Sequence, residues 1–295
     1  MNFGRIDLAD CTTPEALLAA IHKLQGENFP IPIPVEAWAA ALDITAIEPL
    51  ETEGFEGGLM MYGDRSSGMI LVNRHNGSRR RRFTIGHELG HFLLPWHTPR
   101  NGQGFLCSKQ DIAVYRAKPG GDRYMEMEAQ ANCFSAGLLM PAAPFRADLR
   151  SRRNFEVSHV VDLADRYDMS KEATARRCAD LHDDPIAIVI SRHGKVLRIY
   201  PGRDFPRLAV WNGQSLPPEC ITLRSALSQG QSSDWGEMPA DLWLERARGS
   251  VCEQALGQKD GFRLTLLTFE PESDESEEDE EVVKRAWAPP VFRRR

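Results

Sequence analysis

The sequence lacks the features that would place it in a membrane or outside the cell, and it has no excess of basic residues. No apolar run approaches the ~18 residues that a spanning helix needs. The start, MNFGRIDLAD, has no basic stretch followed by an apolar one, so no secretory signal is expected. Six cysteines (Cys11, Cys107, Cys133, Cys178, Cys220 and Cys252) are scattered, and none forms a C-x-x-C pair. They read as reduced thiols of a cytoplasmic protein. There is no excess of positive charge: the formal net charge is −6 over 295 residues. Residues 270–295 hold nine acids against five bases, which leaves the body at −2. Net charge alone therefore does not indicate nucleic acid. Internal repeats are also missing.

What is present is a pattern of elements. Thr13 to Gly26 reads as a helix ending at glycine, and Ile33 to Ile44 as a second with Pro34 near its first turn. Gly57 to Asn73 reads as a β-hairpin, its apolar runs Leu59–Tyr62 and Met69–Val72 flanking a turn rich in glycine and serine. A helix follows and ends at Leu94-Pro95. Asn101 to Asp122 is loop-like, and Arg123 to Pro141 is a strong helix stopped by proline. Val157 to Leu181 holds two short helices joined by YDMS. Ile186–Ser191, Lys195–Tyr200 and Phe262–Phe269 are strand-like. Glu270 to Glu281 cannot bury apolar surface, repels itself and is expected to be disordered.

The chemistry sits in RRRRFTIGHELGHFLLPWH, Arg79 to His97. At about 100° per residue, Thr84, His87, Glu88 and His91 share one side of a helix, and Ile85, Leu89, Phe92 and Leu93 another. The spacing i, i+4 brings two imidazoles to one point, which suits zinc. Glu88, beside the first histidine, can take a proton from water at the metal without ligating it. A catalytic zinc needs a third protein ligand. His97 lies six residues after His91, a metzincin spacing, but Leu94 and Pro95 stand where that motif turns on glycine. Glu128 is the better candidate. It shares a helix face with Asn132, which can orient a ligand histidine. Ala129, Ala131, Ala136 and Gly137 are small enough for the two helices to approach closely. A carboxylate ligand makes manganese a plausible substitute for zinc.

RRFTIGHELGHFLL followed by EAQANCFSAGLLMP resembles the ImmA/IrrE-type zinc peptidases. GMILVN before the site helix and IPIPVEAWAAALDI near the start are similar too. The resemblance runs from about Ile31 to Leu181. It implies zinc held by His87, His91 and Glu128, with Glu88 as catalytic base. It also implies a protein substrate of the helix-turn-helix repressor class, cleaved to relieve repression in stress response or mobile-element control. Cys133 and the acidic tail depart from the family and touch no metal position.

VVDLADRYDMSKEATARRCADL is similar to the helix-turn-helix-like segment that often follows such a domain. It could present Arg176 and Arg177 to DNA. Asp162, Asp165, Asp168 and Glu172 oppose phosphate contact, so packing or substrate docking is the favoured reading. Arg79–Arg82 is either a nucleic-acid patch or the exposed entry to the site helix, with at least one arginine paired to an acid.

The expectation is an α+β protein. A mainly helical zincin-like peptidase domain with a small β-sheet spans residues 1–145, and a helix-turn-helix-like segment 146–183. A mixed α/β domain, sensory or regulatory, spans 184–269, and a disordered acidic tail 270–295. The substrate would lie against Met69, Ile70, Leu71 and Val72 as an edge strand. The competing expectation is a DNA-binding or partner-binding regulator whose metal site is structural.

Overall fold

Local chemistry sets the first helix. The Thr13 hydroxyl accepts from Ala16 N–H at 3.2 Å, Pro14 fills the first turn, and Gly26 leaves it at φ 71°. In the computed structural model, which describes residues 3–26, 29–99, 104–112 and 122–272, two compact units form. One is Met1–Phe155 with His159–Leu181, and the other Glu156–Ser158 with His182–Arg295. The helix-turn-helix-like segment from His159 on therefore clusters with the first unit.

The first unit runs α1 (Pro14–Gln25), α2 (Val35–Ala41), β1 (Ile44–Leu50), β2 (Phe55–Met61), β3 (Gly68–Asn73), α3 (Ser78–Leu93), β4 (Phe105–Ser108), α4 (Lys109–Ile112), α5 (Arg123–Leu139), α6 (Ala142–Arg150), α7 (Val157–Arg166) and α8 (Lys171–Leu181). The expected hairpin is β2 and β3, paired antiparallel from Gly57↔Val72 to Met61↔Gly68. The sheet order is β1-β3-β2-β4.

That order corrects one expectation. Met69, Ile70, Leu71 and Val72 do not form an edge. β3 pairs parallel with β1 on one side and antiparallel with β2 on the other, so its backbone groups are already taken. The open edges of the described sheet belong to β1 and β4. β1 tolerates Pro49 as an edge strand can. The stretch read as a loop over Asn101–Asp122 also needs correction, since it contains β4 and the helical turn α4. Four residues are too few for alternation to be legible, and their partners on β2 lie about fifty positions away. Phe105 and Cys107 face inward and Leu106 outward, the period of two that a strand imposes.

α3 crosses α5 closely where Gly86 and Gly90 of α3 meet Ser135 and Ala131 of α5. A Cβ on Gly86 would stand 2.6 Å from Ser135 Oγ, and one on Gly90 3.2 Å from Ala131 Cα. Ser135 Oγ also donates to Phe83 C=O at 2.8 Å. Ala131 thus serves this crossing, whereas Gly137 makes room for Leu18 of α1.

The four arginines that open α3 are all paired. Arg79 meets Asp165 (2.6 Å) and Asp168 (3.3 Å), Arg80 meets Glu56 (2.6 Å), Arg81 meets Glu36 (3.2 Å), and Arg82 meets Asp168 (3.2 Å). Arg177 donates twice to Met140 C=O, at 3.1 and 2.8 Å, so it closes the end of α5. Arg176 lies 3.6 Å from Asp180 on its own helix. Tyr167, fully buried, donates to Asp148 at 2.8 Å and packs on Phe145.

The second unit contains β5 (Ile186–Arg192), β6 (Lys195–Pro201), α9 (Ile221–Arg224), β7 (Gly236–Pro239), β8 (Gly249–Gly257) and β9 (Phe262–Pro271), with sheet order β6-β5-β9-β8-β7, antiparallel throughout. The three strands expected from sequence are present; β7 and β8 were not foreseen. Trp243, Val189, Val251 and Leu267 centre its core. The acidic tail lies, from residue 273 on, outside the described residues. Among the described residues no helix is long and apolar enough to cross a membrane.

Candidate metal centre

α3 and α5 carry His87, Glu88, His91, Glu128 and Asn132 to one place, and all five are fully buried. His87 Nε2 stands 3.1 Å from His91 Nε2 and 3.2 Å from Glu128 Oε2, while His91 Nε2 is 3.5 Å from Glu128 Oε1. Tetrahedral zinc with these ligands would hold such atoms roughly 3.3–3.4 Å apart. Cys107, fully buried on β4, joins them. Its Sγ is 4.0 Å from His91 Nε2, and the four ligand atoms lie within 4.8 Å of one another.

The hydrogen bonds around the cluster decide what it lacks. Asn132 Nδ2 donates to Asp111 C=O at 3.0 Å, which turns its Oδ1 toward His87 Nδ1 at 2.9 Å. His87 Nδ1 must then carry the proton, and Nε2 is a bare lone pair. A similar relay runs behind the second histidine. His97 Nε2 faces Gln130 Oε1 at 3.4 Å, so His97 Nδ1 accepts from His91 Nδ1 at 2.9 Å, and His91 Nε2 is bare as well. Both lone pairs converge on Glu128, whose carboxylate oxygens are buried without a hydrogen-bond donor. Three acceptors facing one another in a buried site need a cation. The set of two imidazoles, a carboxylate and a nearby thiol fits zinc, and the sulfur argues against manganese.

The titration tendencies agree. Burial alone would lower the pKa of His87, yet Glu128 and Glu88 raise it, so the surroundings favour positive charge at this point. Burial, with the neighbouring imidazole, lowers His91 to about 4 and His97 to about 2, so both stay neutral. Burial pushes Glu88 up to about 8, with Glu128 adding to the shift and His87 opposing it. Neither Glu88 oxygen has a hydrogen-bond donor in bonding geometry. Gly57 gives that carboxylate its space, since a Cβ there would meet Thr84 Cγ2 at 2.3 Å and Glu88 Oε1 at 3.0 Å.

Residues 49–179 match the family model described as the IrrE N-terminal-like domain, a peptidase family. This segment matches the ImmA/IrrE-type peptidases. It covers a little under half of the chain and includes every residue of the cluster. No curated protein matches the chain.

Within this ImmA/IrrE-type domain, three residues support the cluster, and two of them, Phe105 and Arg65, escaped the sequence reading. His97 lies behind His91 and does not join the ligand cluster. Phe105 stacks on the His91 ring, centroids 4.3 Å apart and planes 20° apart. Arg65, in the β2–β3 turn, donates to His91 C=O (3.1 Å), Phe92 C=O (3.1 Å), Leu94 C=O (2.8 Å) and His97 C=O. The ordinary donor for His91 C=O would be the N–H of residue 95, which is proline. Arg65 replaces it.

Proposed function

We propose that the chain is a cytoplasmic zinc-dependent endopeptidase. His87, His91 and Glu128 hold the metal, Asn132 and His97 fix the two imidazole tautomers, and Glu88 is the general base. The observation that carries this reading is the unsatisfied, buried Glu88 carboxylate beside the converging lone pairs. Zinc, when bound, supplies a Lewis acid for the scissile carbonyl and the attacking water. Glu88 takes the proton of that water, and it is the group placed to return it to the leaving amine. Burial keeps the carboxyl basic enough to hold a proton between those steps.

An extended substrate segment pairs with the open edge of β4, which runs beside the cluster, through main-chain hydrogen bonds. The substrate class we favour is a helix-turn-helix repressor, cleaved to relieve repression. The rival reading, a DNA-binding regulator with a structural metal, is weakened by the same geometry. Arg177 is spent on Met140 and Arg79–Arg82 on acids. A structural site also has no use for the Glu88 carboxylate.

The test is co-expression with helix-turn-helix repressors encoded nearby, scored for cleavage with the native chain and with Glu88→Gln. General-base loss should slow cleavage at least about a hundredfold while zinc stays bound. Equal cleavage by the variant would remove the peptidase mechanism.

A further inference from the structure

Cys107 is not explained by packing alone. Three backbone facts aim it. β4 pairs Cys107 with Gly57 of β2, so both face the same side of the sheet. Gly57 has no side chain, which leaves the space over α3 to Thr84 and Glu88. Phe105, two residues earlier on the same face, is pinned against the His91 ring. The sulfur arrives 4.0 Å from His91 Nε2. Tetrahedral zinc with one thiolate and one imidazole would hold these atoms about 3.6 Å apart, a few tenths of an ångström closer. The second, independent observation is the carboxylate of Glu128, fully buried and without a hydrogen-bond donor, whose oxygens stand 3.2 and 3.5 Å from the two imidazole Nε2 atoms. Cys107 therefore meets a buried set of donors suited to a cation, with its sulfur among them.

We propose that Cys107 is a fourth zinc ligand that closes the site, so that the enzyme rests in a latent form and works only when this thiolate is withdrawn. The inference rests on the zinc-site reading above. A catalytic zinc has three protein ligands and one open position. With Cys107 bound, all four positions are protein and none is left for water. On binding, the thiol gives its proton to solvent and its sulfur lone pair to the metal, and withdrawal reverses both. β4 is suited to such withdrawal, because among the described strands it is paired on one side only. The other cysteines lie outside the cluster.

The test uses the full chain stripped of metal and loaded with cobalt(II), whose spectrum reports its ligands. The native protein should show a near-ultraviolet sulfur-to-cobalt charge-transfer band. Cys107→Ser should lose that band while still binding about one cobalt per chain, and Cys133→Ser should keep it. Acetohydroxamate, a small chelating probe, should change the visible cobalt spectrum of Cys107→Ser at concentrations that leave the native spectrum unchanged. Cobalt bound by the native chain without the band would overturn the Cys107 assignment and leave the three-ligand site standing. A band that persists in Cys107→Ser would also overturn it. Equal response of both proteins to acetohydroxamate would overturn the latency. A folded native chain that binds no cobalt would overturn the zinc reading itself, and this inference with it.

Discussion

Replacing Arg65 by alanine should loosen the metal centre without touching any ligand. Four carbonyls, those of His91, Phe92, Leu94 and His97, share its guanidinium. All four residues are at most 1% exposed, so water cannot replace the lost donor. Leu94 C=O also accepts from His97 N–H at 3.1 Å and would keep a partner, whereas His91 C=O faces a proline and would not. A hydrogen bond to a charged donor contributes about 1.5–3 kcal/mol, and an orphaned buried group costs about 1–3 kcal/mol. Counting the three carbonyls left without a donor, those of His91, Phe92 and His97, and offsetting the cost of burying Arg65 itself, gives about 3–5 kcal/mol. At roughly 2–4 °C per kcal/mol, the melting temperature should fall by about 6–20 °C. Zinc affinity should fall too, because the C-terminal end of α3 carries His91. Arg65 sits at φ 56°, in a left-handed conformation that costs about 1–2 kcal/mol outside glycine. Arg65→Gly should therefore melt slightly above Arg65→Ala. A calorimetric scan in which Arg65→Ala melts within about 2 °C of the native protein would refute this assignment.

Three further predictions follow from the site. Gly57→Ala should cost about 1–3 kcal/mol and displace Glu88, because its Cβ overlaps Thr84 and crowds the carboxylate; an unfolding midpoint and a cleavage rate both unchanged would contradict that. Asn132→Ala and His97→Ala should each weaken zinc binding by about 10–100-fold at unchanged stoichiometry, since each frees the tautomer of one ligand; competition against a chelating dye reads this, and complete loss in His97→Ala would make His97 a ligand. Leu71→Pro should unfold the first unit instead of weakening substrate binding alone, because β3 is paired on both sides; a folded variant by circular dichroism would be the contrary result.

Much of the centre was legible because helices announce themselves by period. His87, Glu88 and His91 on one face, and Glu128 with Asn132 on another helix, follow from spacing alone. The α3–α5 crossing was legible in its small residues, although Gly137 proved to serve α1. What stayed hidden depends on long-range pairing. β1, β4, β7 and β8 are edge or short strands, or strands whose alternation is weak, and only their partners define them. The order that places β3 inside the sheet cannot be read from a hairpin, so the edge was assigned to the wrong strand. Arg65 looked like an ordinary turn residue, because nothing local says that the turn returns to the end of α3. Cys133 drew notice for standing in the α5 motif, while Cys107, inside an apparent loop, was the thiol that reaches the cluster.

The most direct measurement is the metal content of the purified native chain beside Glu128→Ala and Glu88→Gln, by elemental analysis with folding checked in parallel. About one zinc per chain should be found in the native protein and in Glu88→Gln, and little or none in Glu128→Ala. Full zinc in folded Glu128→Ala, or none in the folded native chain, would contradict the account.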